Sequence, residues 1–186
     1  MTRSQIQPEP SRLGTVQELA DGYRLRFERH LRHPIEKVWA ALTIPVKRAQ
    51  WFAPGEMELT LGGRVALAFT SGESVIDGQI TTLEPPSLLE FTWTDKGDDL
   101  GFVRWELSPA DAGTHLVLTH TLSETARTFG LPALAGWHTL LENLAVLLDG
   151  RIPTELPDRW QEFHDHYAEL GTIQVQPNLK GKTTND

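Results

Sequence analysis

The sequence predicts an α+β domain in which a curved antiparallel sheet wraps around one long helix. From Leu131 to Asp149, apolar residues fall at Leu134, Trp137, Leu141, Leu144 and Leu148, and these steps of three and four are the helix period. A second row at Ala133, Leu140 and Leu147 widens the stripe, so one broad face must lie against something large. Between Gly22 and Leu122 the pattern has mostly period two and is broken by turn residues, which marks short strands. Such a string of antiparallel neighbours, with no long crossover, contains no dinucleotide-binding unit.

Taken in order, Met1 to Leu13 is polar and proline-containing, and residues 1–14 read as a disordered leader. The domain is expected over 15–150, with an additional helix in 151–170 and a flexible tail in 171–186. Val16 to Leu19 suits a short strand, and Asp21-Gly22 is a turn signal ahead of Tyr23 to Leu31. In that second strand Leu25, Phe27 and Leu31 share one face, and parity puts Arg29 on it too. Pro34 opens a helix through Leu42, with His33 at the cap and Ile35, Val38 and Trp39 inward. Pro45 begins another helical turn that ends near Trp51-Phe52.

Met57, Leu59 and Leu61 then alternate with polar residues, Gly62-Gly63 turns the chain, and Val65, Leu67 and Phe69 resume the inner face. Ser71-Gly72 turns it again into Val75 to Leu83, whose polarity reads as an outward or edge strand. Pro85-Pro86 forces a break. Leu89, Phe91 and Trp93 face inward, Asp95 to Asp99 turns, and Val103, Trp105 and Leu107 return. After the hairpin at Asp111 to Gly113 the inner residues are Leu116, Leu118, His120 and Leu122. In the long helix Pro132 suits the first turn, Gly150 and Pro153 supply the stop, and His138, Glu142 and Asn143 fall off the stripe. Trp160, Phe163, Tyr167 and Leu170 form a stripe on a terminal helix.

Composition narrows the function classes. A chain of 186 residues with 39% hydrophobic residues supports one domain with a sizeable core. With 25 Asp and Glu against 17 Lys and Arg, the net charge of −8 argues against nucleic acid or an anionic membrane as partner. There are no cysteines, so disulfides and thiol catalysis are excluded. The first residues lack an apolar signal core, and no later stretch reads as a membrane span, so cytoplasmic residence is expected.

Several separated segments, RFERHLRHPIEKVWAALTIP followed by WF, then FTW, VRWELSPADAGTHLVLTHT and GWHTLLENLAVLLDG, resemble the heat-shock-protein-90 ATPase activator homologue family. That family belongs to the START-like, or SRPBCC, superfamily, and the resemblance covers roughly residues 20–150. It implies a helix-grip fold of the START and Bet v 1 kind, in which the sheet and two short helices hold the long carboxy-terminal helix and usually enclose an apolar cavity. The superfamily includes lipid carriers, polyketide cyclases and chaperone activators, so the fold does not by itself assign an activity.

The inward residues Phe69, Phe91, Trp93, Val103, Trp105, Leu118, Trp137, Leu141 and Leu144 converge between sheet and helix, either as ligand-binding walls or as ordinary core. Hairpin geometry places Trp93, Val103 and His120 near the rim where Trp137 and His138 project. His120 is the leading polar candidate, as a ligand contact or as a core histidine satisfied by a backbone carbonyl. Arg29 needs either a ligand anion or a structural partner such as Glu58 or Asp77. His138 and Glu142, four apart, read as a solvated pair; without HExxH a metal is not expected there. His164 and His166 read as surface residues. The acidic loop 95–99, if beside a rim, disfavours anionic ligands.

There is no GxSxG elbow, phosphate-binding loop or dinucleotide fingerprint, so no catalytic residue and no cofactor is assigned. The first expectation is therefore a protein that binds a small apolar molecule. A chaperone partner is second, because the roughly 20 residues ahead of the resemblance are too few for the separate amino-terminal domain of two-domain activators. A cyclase-type enzyme using His120 or Arg29 is third. Trp160, Phe163 and Tyr167 either pack within the chain or form a homodimer contact.

Overall fold

The structure, a computed structural model, describes residues 12–69, 75–155 and 158–171. The leader up to residue 11, the turn at Ser71-Gly72 and the tail beyond residue 171 lie outside the described residues. Eight strands form one antiparallel sheet: β1 (Thr15–Leu19), β2 (Gly22–Leu31), β3 (Gly55–Met57), β4 (Arg64–Ala68), β5 (Val75–Glu84), β6 (Leu88–Asp95), β7 (Asp98–Ala110) and β8 (Gly113–Ser123). Their spatial order is β1-β2-β8-β7-β6-β5-β4-β3. Helices α1 (Ile35–Thr43) and α2 (Pro45–Arg48) carry the chain from β2 to β3 at the opposite edge. This connection crosses the sheet, contrary to the expected neighbour-to-neighbour path, and closes β2 against β8 instead. A 3₁₀ turn at Glu124–Phe129 leads into α3 (Gly130–Leu148), a 3₁₀ turn at Pro153–Glu155 follows, and α4 (Trp160–Glu169) ends the described chain.

Helix α3 lies on the inner face of the sheet because both surfaces are apolar there. Leu134, Trp137, Leu141, Leu144 and Leu148 are buried, and so are Leu25, Phe27, Leu67, Phe91, Val103, Trp105, Leu116 and Leu118 facing them. The second row, Ala133, Leu140 and Leu147, is partly buried against the same core. Gly150 stops α3 in the left-handed region, at φ 77°. On composition alone the segment Glu124–Leu148 is long and apolar enough to cross a membrane, contrary to expectation, but Leu134, Trp137, Leu141, Leu144 and Leu148 within it are buried in the core.

Local backbone bonding overrides the alternating pattern in two places. Leu59 and Leu61 were expected to face inward, yet they are 39% and 73% exposed. After Met57 the chain leaves the ladder: Thr60 N–H donates to Glu58 O at 2.7 Å, Gly63 N–H to Thr60 O at 2.9 Å and Gly62 N–H to Ile80 O at 2.8 Å. A side chain at Gly63 would place its Cβ 2.1 Å from Glu58 O, so this tight curl requires glycine. β5, expected to lie outward or at an edge, is inside the sheet between β4 and β6 and buries Ile76 and Ile80. Its polar residues face the uncovered outer surface, which sequence polarity alone does not distinguish from an edge.

Two helix assignments also change. Pro34, not His33, occupies the cap position of α1. His138, expected in solvent, is fully buried, because α4 covers that flank of α3 with Phe163 and Tyr167. Leu170, at the end of the α4 stripe, is 53% exposed. Residues 12–14, assigned to the leader by sequence, are pinned: Gly14 N–H donates to Tyr167 Oη at 2.8 Å, and Arg12 pairs with Glu142 at 3.2 Å.

These placements predict opposite outcomes for two leucines. Leu141→Ala should cost about 2–5 kcal/mol in urea denaturation, the usual range for a buried cavity-forming change, whereas Leu61→Ala should stay within about 0.5 kcal/mol.

Candidate functional site

The site is built on ranks of side chains running across the strands. Register aligns Ile80, Phe91, Val103, His120 and Leu25 in one rank, and Leu89, Trp105, Leu118 and Phe27 in the next. Trp93 lies where the β6–β7 register shifts between Thr92 and Thr94, and a bulge of this kind re-aims a side chain. From the opposite side, α3 supplies Trp137, Leu141 and Leu144. The structure thus brings the sequence-predicted apolar residues and His120 into one core, with Phe69 partly buried at the end of β4, whereas Arg29 lies apart from them.

Sequence reasoning did not assign Trp51 and Phe52 to this site. Arg48, fully buried, fixes the corner that presents them by donating to Thr43 O at 3.3 Å and to Gly55 O at 2.6 Å. Trp51 Nε1–H donates to Ala41 O at 2.9 Å, and its ring meets Trp105 edge-on with centroids 5.9 Å apart. Phe52 contacts five rings, including Trp51 at 5.3 Å, Trp137 at 5.5 Å and Phe69 at 5.6 Å. Two aromatic residues immediately after a short helix are the signal for them, but no periodicity says which way they point.

Trp137 is the hub of the aromatic cluster. Its ring lies 5.4 Å from Trp93, 5.6 Å from Trp105 and 5.8 Å from His120, each edge-on. Its indole N–H donates to His120 Nδ1 at 2.9 Å. Indole nitrogen is only a donor, so Nδ1 must carry the lone pair and the neutral ring holds its proton on Nε2. Nε2 is buried and has no hydrogen-bond partner of good geometry among the described residues; the Leu100 backbone approaches it and favours its proton. Burial pushes the His120 pKa down to about 3. His120 is therefore a neutral hydrogen-bond donor in an aromatic surround, approached by the Leu100 backbone but making no hydrogen bond of good geometry among the described residues.

The other polar candidates lie elsewhere. Arg29 is buried on the inner face, as parity predicts, but neither expected partner reaches it. Glu58 and Asp77 instead engage Arg64, Glu58 through the Arg64 backbone N–H at 3.1 Å and Asp77 through Nε at 3.1 Å. Burial holds the Arg29 guanidinium below its ordinary pKa. His138 stacks on Phe163 at 3.9 Å and shares a hydrogen bond of 2.8 Å with the Tyr167 hydroxyl. Its Nε2 is 4.0 Å from Glu142, so this pair is not solvated as expected. Burial, reinforced by the Arg29 charge, lowers His138 to about 3, and burial raises Tyr167 to about 12. His164 and His166 are partly buried, and His164 stacks on Trp160 at 4.9 Å.

The sequence profile described as "Activator of Hsp90 ATPase homolog 1-like protein" matches residues 32–149, the stretch from α1 through α3. The chain belongs to this family. Among solved structures, the Mesorhizobium loti protein MLL2253 is 31% identical, covering 68% of this chain and 97% of its own, at a TM-score of 0.62. CalU16 from Micromonospora echinospora is 26% identical, covering 86% of this chain and 96% of its own, at a TM-score of 0.65. DynU16, a protein in the dynemicin biosynthetic locus, is 25% identical over 70% of this chain but 49% of its own, with a TM-score of 0.62. No curated protein matches the chain at significant similarity. Membership of the activator-homologue family, together with the observed sheet and helix, establishes the START-like helix-grip fold.

The two buried histidines make stability depend on pH. Both are lowered to about 3 when folded, against an ordinary value of 6.5, so the unfolded chain binds more protons between these limits. Their contribution is intact above pH 6.5 and is lost as pH falls towards 3, at about 1.4 kcal/mol per pH unit for each histidine. Urea unfolding followed from neutral pH into this window should show the loss, and His120→Gln should roughly halve its slope before carboxylates begin to titrate.

Proposed function

We propose that this protein binds a small, largely apolar molecule inside the helix grip, and that the ligand carries one hydrogen-bond acceptor that meets His120. The observation that carries this reading is the buried Nε2–H of His120, which makes no hydrogen bond of good geometry among the described residues although the Leu100 backbone approaches it. An unpaired buried donor is costly, and an acceptor on a ligand would offset that cost. Ligand pockets typically combine apolar walls with a few placed polar groups, and Trp93, Trp105 and Trp137 would supply the walls here. Their rings touch, so binding on this account displaces the partly buried Phe52 and Phe69 rings. The occurrence of the related DynU16 in a biosynthetic locus accords with a small-molecule role.

A cyclase-type enzyme is less well supported. With its pKa near 3 and Nδ1 already engaged by Trp137, His120 is a poor general base at neutral pH. Stimulation of a chaperone ATPase, which the family's description names, is the alternative binding role.

The test uses two probes of nearly the same shape, 2-acetylnaphthalene and 2-ethylnaphthalene. The wild-type protein should bind both and prefer the ketone by about tenfold, the worth of one buried hydrogen bond. His120→Leu should remove the preference, and Trp93→Ala should weaken both probes. Failure to take up either probe, with an increase in Hsp90 ATPase rate, would replace this reading with the chaperone role.

A further inference from the structure

A recess lies apart from the aromatic cluster, between the latter half of β2, the β7–β8 hairpin and the carboxy-terminal half of α3. Its volume is about 720 Å³, and Arg29 lines it. Arg29 is only 6% exposed. Its Nη1 donates to Glu28 O at 2.8 Å, while Nε and Nη2 are buried with no acceptor among the described residues. Those two nitrogens share one edge of the guanidinium plane, the edge that grips a carboxylate through two parallel hydrogen bonds.

Three of the carboxylates lining the recess make their hydrogen-bonded ion pairs with groups other than Arg29, and Glu142 reaches Arg29 only through its charge. Glu142 pairs with Arg12 at 3.2 Å, Asp149 with His33 at 3.0 Å, and Glu28 with Arg26 and with His115 at 2.9 Å. Among the described residues lining the recess, Arg29 has its Nε–Nη2 edge unmet; Glu142 acts on it only through charge, and a buried guanidinium with one edge unpaired favours an anion there. We propose that this recess is a second binding site, for a small organic carboxylate held bidentately by Arg29. Glu28, Asp111, Glu142 and Asp149 line the recess against Arg12, Arg29 and Arg32, and this acidic excess suits a singly charged carboxylate better than a phosphate dianion. Leu31, Ala112 and Ala145 offer apolar surface for the body of such a ligand.

Calorimetric titration of the full chain with benzoate and hexanoate at neutral pH tests the assignment, with inorganic phosphate as the competing anion. At least one of the two carboxylates should bind. Arg29→Met, which keeps the length of the side chain, should weaken it at least about tenfold, and Arg29→Lys should restore only part of the affinity because it supplies charge without the fork. Circular dichroism establishes that each variant is folded; if Arg29→Met is not, the partial loss in Arg29→Lys carries the test. Trp93→Ala should leave carboxylate binding unchanged, which separates this site from the helix-grip interior. The proposal is overturned if neither carboxylate binds up to about 10 mM, if only phosphate binds, or if folded Arg29 variants bind as tightly as the wild type. Loss of binding in Trp93→Ala with none in the Arg29 variants would move the carboxylate into the grip and equally overturn it.

Discussion

Between Trp137 on α3 and His120 on β8 runs one buried hydrogen bond of 2.9 Å, and it sets both the seat of the helix and the chemistry of the interior. Indole can only donate, so the bond fixes the histidine tautomer; burial then keeps the ring neutral. Trp137 also meets Trp93, Trp105 and Phe52, rings contributed by β6, β7 and the corner after α2. One side chain thereby ties the helix to three separate parts of the chain. Apolar burial draws α3 onto the sheet without direction, and the directional bond adds a preferred depth and rotation.

The two flanks of α3 serve different ends. Trp137, Leu141, Leu144 and Leu148 face the sheet and α1, where the surroundings are aromatic and aliphatic. His138 and Glu142 turn towards α4 and the end of β2, where polar groups gather under the cover of Phe163 and Tyr167. Phe163 and Tyr167 are buried within this chain, and Gly14 is held by the same tyrosine, so the additional helix also fastens the start of the domain. Each side of α3 buries a polar side chain with incomplete pairing, His120 on one and Arg29 on the other. Both are energetic liabilities in the isolated fold, and their isolation is the physical basis for treating the two regions as separate sites.

Much of this was legible in the sequence because strand parity and helix period act locally. Leu25, Phe27 and Leu31 placed Arg29 inward, and the Val103–Leu107 and Leu116–Leu122 alternations placed His120 correctly. What could not be read depended on distant partners. Leu59 and Leu61 kept the alternating pattern past the end of β3, but backbone bonds to Glu58 and Ile80 decided their exposure. His138 fell off the main helical stripe, yet α4 required its own apolar face to be covered and buried that flank. The unmatched stripe of Phe163 and Tyr167 was the available clue. Phe52 had no periodic context, and its place at the centre of the cluster follows from the α1–α2 corner held by Arg48.

The central claim is that Trp137 locks His120 as a neutral Nε2–H donor. Long-range nitrogen–proton correlation NMR of labelled histidine reads tautomer and charge directly. The account predicts that His120 shows the Nε2–H pattern, unchanged from neutral pH down to the onset of acid unfolding. An Nδ1–H tautomer, or ordinary titration near pH 6.5, would contradict it.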